Sequence, residues 1–165
     1  MAQAMTEMAL PEGASPKHDY IDALRLIERL HRRFLDIIKF ELDKLGFEDI
    51  NSVQVMLLYN IGDSELTAGE LKSRGYYLGS NVSYNLKSMV EAGYLEQERA
   101  LHDKRAVKIK LSAKGAELCA QFDKALDDQS QGLIDDHYLG RSGINNVIRS
   151  LRQMERFWSD KLQFL

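Results

Sequence analysis

The sequence contains few of the residues that build disulfide-bonded or membrane proteins. Its 165 residues include two prolines and one cysteine. A single cysteine excludes an internal disulfide and agrees with a reducing compartment. No apolar run approaches the ~20 residues needed to cross a bilayer, and residues 1–15 lack the basic start and apolar centre of a secretion signal. We therefore expect a cytoplasmic protein with no membrane partner.

Catalytic motifs are also missing. The chain has no nucleophile elbow, phosphate-binding loop or metalloprotease motif. Its four histidines are dispersed, and no HxxxH or CxxC spacing accompanies Asp135-Asp136-His137, which is more typical of a polar helix end than of a metal site. We expect no enzymatic activity, no cofactor and no metal ion.

Positive charge is scarce overall but concentrated in one segment. The formal net charge is −3, yet residues 72–115 hold nine Lys or Arg against four acidic residues. This segment therefore carries +5, and the rest of the chain carries −8. Because phosphate binding responds to the potential within about 8–10 Å, a basic segment on an acidic body is compatible with double-stranded DNA as a partner.

The pattern of apolar residues changes within this segment. Apolar residues first recur at helical spacing, at Val82, Leu86, Met89 and Val90. Gly93 is suited to end that helix in the left-handed conformation. Residues 94–99 and 107–111 then alternate between two faces on either side of a charged tip at 101–105. This order predicts a winged helix-turn-helix, with the helix in the major groove of DNA and the wing at the neighbouring minor groove or backbone.

Amphipathic helices flank the segment. One apolar helical face runs through residues 20–46, and two more lie within 113–165. Asn51–Gln54 and Thr67–Glu70 have the spacing of capping boxes that open two short helices, and Leu66 is suited to a short third strand beside the hairpin. The expected fold class is mainly α with a small β-hairpin wing and long terminal helices.

A compact motif closes the hairpin and opens the next helix. Residues 103–115 read DKRAVKIKLSAKG, an Asp-x-Arg tip followed by a strand that ends in Leu-Ser with a glycine three residues later. This run resembles the D-x-R wing and the v-x-L-[ST]-x-x-G junction of the MarR family of bacterial winged-helix transcription regulators. The long flanking helices are similar to that family's dimerisation helices, so the resemblance covers most of the chain.

The resemblance implies one domain behind a flexible tail. We expect residues 1–19 to form the tail and 20–165 a single domain, in which 51–112 form the winged-helix lobe and 20–46 and 113–165 the dimerisation helices. The terminal helices carry more apolar surface than one small domain can bury, which favours a homodimer. Its two recognition helices would meet successive major grooves of a roughly palindromic operator.

The predicted DNA contacts are polar or basic residues of the recognition helix, the preceding helix and the tip: Arg74, Ser80, Asn81, Ser83, Tyr84, Lys87, His102, Asp103, Lys104 and Arg105. Asn81 has the chemistry to pair with adenine, and Tyr84 to contact a thymine methyl or a phosphate. The resemblance assigns the minor-groove or phosphate contact of the wing to Arg105, with Asp103 holding its guanidinium. Tyr84 departs from the family, in which arginine or another polar residue is common, so base preference is not carried over. An ordinary solvated helix face is the alternative for residues 80–88.

The resemblance also implies a small aromatic or acidic effector, bound between the dimer helices and the DNA-binding lobe. Four residues would lie near its pocket: Phe34, Ile38, Tyr59 and Phe122. Aromatic residues at helical spacing are more often part of a core than of a ligand site. Cys119 is a candidate redox sensor, although a buried inert thiol is the simpler interpretation because no cationic cluster adjoins it.

We therefore predict a dimeric, sequence-specific transcriptional regulator, a repressor that also activates depending on operator position. Two alternatives use the same scaffold. A winged helix can bind a protein or an acidic cofactor instead of DNA, and this alternative predicts no base preference in the presence of competitor DNA. A thiol or metal sensor would lose its response after Cys119→Ser substitution or chelation.

Overall fold

A computed structural model describes residues 15–73, 81–99, 107–135 and 138–163. Their helices and strands are α1 (Pro16–Leu45), α2 (Ser52–Ile61), β1 (Leu66–Thr67), α3 (Ala68–Ser73), α4 (Asn81–Glu91), β2 (Leu95–Arg99), β3 (Val107–Leu111), α5 (Ala113–Ile134) and α6 (Gly140–Leu162). The expected fold class is confirmed, because the chain is mainly helical with one small sheet. None of the described helices is long and apolar enough to cross a bilayer.

Two compact units make up the chain, Met1–Met56 and Leu57–Leu165. The first is built on α1 and the start of α2. The second contains the rest of α2, the three strands and α3 to α6. A single domain over residues 20–165 stays a prediction.

The start of α1 differs from the expectation. The helix begins at Pro16 because the Ser15 side chain accepts a hydrogen bond from the His18 amide, at 3.3 Å, and because proline is favoured in the first helical turn. A tail over residues 1–19 is therefore wrong for its last four residues. Residues 1–14 lie outside the described part of the chain.

The far end of α1 follows the prediction. Gly46 has φ 79° and ends the helix in the left-handed conformation. The inward face of α1 is fixed by Ile38 and Leu42, which are fully buried. The Ser52 hydroxyl donates a hydrogen bond to the Leu35 carbonyl at 2.8 Å, so the first turn of α2 is tied to the middle of α1.

Both predicted capping boxes are confirmed. The Asn51 side chain accepts from the Gln54 amide at 3.0 Å, and the Gln54 side chain accepts from the Asn51 amide at 3.1 Å. In the same way, the Thr67 hydroxyl accepts from the Glu70 amide at 3.2 Å, while the Glu70 carboxylate accepts from the Thr67 amide at 2.7 Å. These bonds satisfy amides that have no partner within the first turn of a helix, which fixes where α2 and α3 begin.

The sheet has the strand order β1-β3-β2, and both strand pairs are antiparallel. Leu66 pairs with Ile109, which confirms the predicted third strand, and Leu95 pairs with Leu111. Leu66, Leu95 and Ile109 are buried because the two-residue alternation turns one side of the sheet towards the helices.

The core of the second unit consists of side chains that are at most 3% exposed: Leu57, Leu58, Ile61, Leu66, Leu71, Leu86, Met89, Tyr94, Leu95, Ile109, Leu118 and Phe122. Burial of each contributes roughly 1.5–3 kcal/mol. The predicted inward positions Leu86 and Met89 are confirmed, whereas the side chain of Val82 lies outside the described part. Because α4 is held through Leu86 and Met89, its opposite face is presented to solvent.

The junction between β3 and α5 is unusually close to the start of β2. The Ser112 amide donates a hydrogen bond to the Tyr94 carbonyl at 3.1 Å. The Ser112 hydroxyl donates to the Gly93 carbonyl at 2.6 Å and accepts from the Gly115 amide at 3.0 Å. A Cβ atom on Gly115 would lie 2.2 Å from the Tyr94 carbonyl oxygen. The glycine is therefore required by the close approach of two backbone segments.

The helices α5 and α6 follow one another closely in the sequence. α5 ends at Ile134, and α6 already begins at Gly140, which has φ 59°. Gly143 lies inside α6, where a Cβ atom would be 2.7 Å from Leu139 Cδ2. The absence of a side chain at Gly143 therefore allows Leu139 to pack closely against α6.

Candidate functional site

Three of the predicted DNA contacts lie on the solvent face of α4. Ser83, Tyr84 and Lys87 are exposed, and 72% of the Tyr84 surface is accessible to solvent. On the opposite face, Leu86 and Met89 are 3% and 1% exposed. A rigidly held helix thus presents a large aromatic side chain, a hydroxyl and an ammonium group side by side, a set that suits base edges, methyl groups and phosphates.

Lys87 has a weak neighbour on its own helix. Its Nζ lies 3.7 Å from Glu91 Oε1, and the two side chains are 77% and 66% exposed. An exposed pair of this kind contributes about 0–1 kcal/mol and is screened by salt. A phosphate group can therefore replace the carboxylate at little cost.

A tight turn joins α4 to the first strand of the hairpin. Gly93 has φ 78°, its amide donates to the Val90 carbonyl at 3.0 Å, and the Tyr94 amide donates to the Met89 carbonyl at 2.8 Å. Tyr94 is fully buried. This helix end is a Schellman-type cap followed by a core residue, so the direction of the hairpin relative to α4 is fixed by backbone hydrogen bonds and packing.

Several predicted contacts fall outside the described part of the chain: Arg74, Ser80, His102, Asp103, Lys104, Arg105 and the side chain of Asn81. The strands on both sides of the tip are described. Arg99 on β2 pairs with Val107 on β3, so residues 100–106 connect the ends of two neighbouring antiparallel strands. The wing therefore begins and ends where the alternation of the sequence predicted.

The lysines of the hairpin have carboxylate neighbours. Lys108 Nζ lies 3.1 Å from Glu65 Oε2. Lys110 Nζ lies 3.4 Å from Glu98 Oε2 and 3.7 Å from Glu96 Oε2. The hydrogen bond to Glu98, together with the negative charges of Glu98 and Glu96, raises the pKa of Lys110 above its usual value.

One of these pairs lowers the positive charge below the net count for residues 72–115, because Glu65 lies outside that count, whereas Glu96 and Glu98 are already subtracted in it. Glu96 and Glu98 lie on the strand paired with β3, so their approach to Lys110 follows from the hairpin register. Glu65 lies outside the basic segment and reaches Lys108 only because β1 pairs with β3. Arg99, Lys108 and Lys110 are then matched in number by Glu65, Glu96 and Glu98, so the excess of positive charge comes from residues outside the two strands.

Two of the four candidate effector residues lie together. The rings of Tyr59 and Phe122 meet edge to face, with centroids 5.8 Å apart and planes at 85°. The Tyr59 hydroxyl donates to Asp123 Oδ1 at 2.7 Å. This hydrogen bond, then burial, then the charge of Asp123 raise the pKa of Tyr59. Phe34 and Ile38 are on α1, in the other compact unit.

Cys119 is half-buried on α5. Burial, with a smaller contribution from the Asp123 carboxylate, raises the pKa of its thiol to about 11. The thiol is therefore almost entirely protonated near neutral pH, which favours the interpretation as an inert residue over that of a redox sensor. Among the described residues, no group of three or more His, Cys, Asp or Glu side chains is placed to hold a metal ion. Asp136 and His137 lie outside those residues.

Comparisons with known proteins agree with this arrangement. The family model for the MarR family matches residues 48–106. The exopolysaccharide II synthesis transcriptional activator ExpG of Rhizobium meliloti (strain 1021) is 37% identical over 145 residues, which are 88% of this chain and 74% of ExpG. The crystal structure of the transcriptional regulator SlyA superposes with a TM-score of 0.73 at 17% identity, covering 87% of this chain and 98% of that one. A cysteine-to-serine mutant of MarR from E. coli, complexed with operator DNA, has a TM-score of 0.68 at 21% identity and covers 86% of this chain and 99% of that one.

Proposed function

Since the chain belongs to the MarR family and is a transcriptional regulator rather than an enzyme, we propose that it binds double-stranded DNA sequence-specifically as a homodimer. The observation that carries this proposal is the solvent face of α4. It presents Ser83, Tyr84 and Lys87 from a helix anchored by buried residues and joined by a tight turn to a hairpin. We assign α4 to the major groove and residues 100–106 to the minor groove or the backbone.

Within this proposal the contacts divide into two kinds. Tyr84 and Asn81 read base edges or thymine methyl groups, because they lie in the first half of the helix, which enters a groove most deeply. Lys87, Arg74 and Lys104 contact phosphates. Since Lys108 and Lys110 have acidic neighbours, Arg105 supplies much of the remaining attraction at the wing, with Asp103 holding its guanidinium in place.

The homodimer is supported by apolar side chains that one chain leaves in water. They are Leu26, Leu30, Ile37 and Phe40 on α1 and Val147, Ile148, Leu151 and Phe157 on α6, each at least 40% exposed. The four residues of α1 share one stripe because they are separated by whole numbers of turns. Covering the exposed half of each side chain contributes roughly 1 kcal/mol, before the cost of association is subtracted.

A two-fold dimer presents two recognition helices to a roughly palindromic operator. We propose that a small aromatic effector changes the distance between these helices by binding near Tyr59 and Phe122. The Asp123 carboxylate beside Tyr59 makes this end of the site less favourable for an acidic molecule than for a neutral one. Repression is proposed where the operator overlaps a promoter and activation where it lies upstream, and the name of ExpG supports the second mode.

The test uses the wing arginine. We expect Arg105→Ala to weaken operator binding about ten- to a hundredfold, the loss typical of one groove or phosphate contact, while dimerisation is unchanged. Binding is measured by mobility shift at several salt concentrations with competitor DNA. Arg25→Ala is the matched control, because Arg25 is an exposed α1 residue whose neighbour is Asp22 at 3.3 Å.

The control should bind like the wild type. Unchanged affinity of Arg105→Ala would remove the wing from the mechanism. Binding without any sequence preference in the presence of competitor DNA would contradict the proposed function and favour the protein-binding alternative.

A further inference from the structure

Three arginines of the C-terminal helix form no ion pair with any residue that the structure describes. A groove of about 490 Å³ runs along α6 and is lined by Asn145, Ile148, Arg149, Arg152, Gln153 and Arg156. The three arginines are three and four residues apart, so their guanidinium groups share one side of the helix. We call Arg149, Arg152 and Arg156 the arginine face. All three residues are exposed.

The arginine face differs from the charged surface of α1. On α1, Arg32 lies 3.0 Å from Glu28 and Arg25 lies 3.3 Å from Asp22. Within the part of the chain that the structure describes, no guanidinium of the arginine face forms an ion pair. Three like charges within two turns repel one another, so this face is less stable alone than beside carboxylates.

Carboxylates that form no ion pair with a described residue are found in the second half of α5. Asp127 and Asp128 are exposed, and neither forms an ion pair with a described residue. The buried residues of α5 end at Phe122, so the two aspartates belong to the part of α5 that extends beyond the core. The acidic residues of α1 are weaker candidates, because most of them already have basic neighbours on the same helix.

The surroundings of the arginine face indicate a protein partner rather than a solvated surface. Ile148 lines the groove and is 40% exposed, and Leu151, on the adjoining apolar stripe, is 46% exposed. Basic residues that border an exposed apolar stripe occupy the position of an interface rim, where charge sets orientation and register. α6 has no buried residue within the single chain, so this whole surface is open to a second copy.

We propose that the arginine face of one protomer binds Asp127 and Asp128 of the second protomer, and that this contact sets the orientation of the dimer. The inference rests on the proposed homodimer and adds the charged contact that aligns it. In a two-fold dimer the contact occurs twice, because each protomer supplies one arginine face and one pair of aspartates. The attraction is strongest at low salt and decreases as salt is added.

The test uses two charge-reversal variants, each measured alone and then in an equal mixture. One variant carries Arg152→Glu and Arg156→Glu, and the other carries Asp127→Lys and Asp128→Lys. Each is expected to dimerise about tenfold more weakly than the wild type, because like charges then face each other twice. In an equal mixture, both contacts of a heterodimer are again between opposite charges, so dimerisation should return to within about threefold of the wild type.

Dimerisation is followed by sedimentation over a concentration series, and heterodimers are identified by native mass spectrometry. Circular dichroism verifies that each variant is folded. Lys87→Glu is the control for a charge reversal outside the proposed interface, since it lies on α4 and should leave dimerisation unaltered while weakening DNA binding.

Three results would overturn the inference. If both variants dimerise like the wild type, the arginine face has no role in the dimer. If each variant is weakened but the mixture does not recover, the two clusters do not meet across the interface. If only the arginine variant loses DNA affinity while both dimerise normally, the face binds a polyanion. A wild-type chain that remains monomeric would refute the homodimer itself, which the sedimentation of the wild type reveals separately.

Discussion

Replacement of Gly115 by alanine should destabilise the protein, although alanine is the better helix former. A Cβ atom at this position would lie 2.2 Å from the Tyr94 carbonyl oxygen and 3.2 Å from the Tyr94 carbonyl carbon. Both are backbone atoms of a fully buried residue, so neither can move aside as a flexible side chain would. The start of α5 must therefore shift away from β2 by about 1 Å.

The size of the effect follows from three contributions. Overpacking of this kind costs about 1–3 kcal/mol. The shift also stretches the hydrogen bond from the Ser112 amide to the Tyr94 carbonyl, now 3.1 Å, which contributes about 0.5–1.5 kcal/mol. Alanine returns up to about 1 kcal/mol through its helix propensity. We expect a net loss of about 2 kcal/mol in the free energy of unfolding.

The assay is urea unfolding at one fixed protein concentration, because a dimer's apparent stability depends on concentration. With a slope of about 2 kcal/mol per M, the midpoint should fall by about 1 M. Gly132→Ala is the matched control on the same helix, since no atom lies within 4 Å of its added Cβ. It should raise stability by up to about 1 kcal/mol. A Gly115→Ala midpoint equal to or above that of the wild type would refute the argument from close approach.

Two further predictions concern the hydrogen bond between Tyr59 and Asp123 and the thiol of Cys119. Tyr59→Phe keeps the ring contact with Phe122 but removes the hydrogen bond to Asp123. A double-mutant cycle of Tyr59→Phe and Asp123→Ala, measured by urea unfolding, should give a coupling energy of about 0.5–1.5 kcal/mol. Additive losses would mean that the bond contributes nothing to stability. Because the pKa of the Cys119 thiol is raised to about 11, alkylation at pH 7–8 should be about a hundredfold slower than for an ordinary cysteine and should increase up to about pH 11. The raised pKa means that the folded state disfavours the thiolate, so the free energy of unfolding should also fall as the pH rises from about 9 through 11. Fast alkylation at neutral pH would contradict the raised pKa.

Local signals in the sequence were sufficient for most boundaries. The capping boxes at Asn51–Gln54 and Thr67–Glu70 and the left-handed Gly93 lie where the pattern predicted, and the helix expected over residues 20–46 ends at the left-handed Gly46. Each depends on hydrogen bonds between residues at most five apart, so the necessary information is contained in a short stretch of chain. The start of α1 differs from the prediction because Ser15 and Pro16, which are also typical of an irregular tail, here cap and open the helix.

Charge was harder to predict than periodicity. The net count over residues 72–115 already subtracts Glu96 and Glu98, which lie beside Lys110, but it leaves out Glu65, which lies beside Lys108. The neighbours of Lys110 follow from the hairpin alone. Glu65 becomes a neighbour of Lys108 only when a third strand joins the sheet, and that pairing is a long-range event.

The amino-acid sequence by itself determined the order of the helices and strands, the inward face of α4 and the family to which the chain belongs, because these depend on periodicity, caps and a short motif. Only the tertiary structure decided which charges neutralise one another, why Gly115 must be a glycine, and which side chains of α1 and α6 form the exposed apolar stripes and the arginine face. Those properties depend on the distance between atoms of residues far apart in the chain, and such distances are set by packing and strand register.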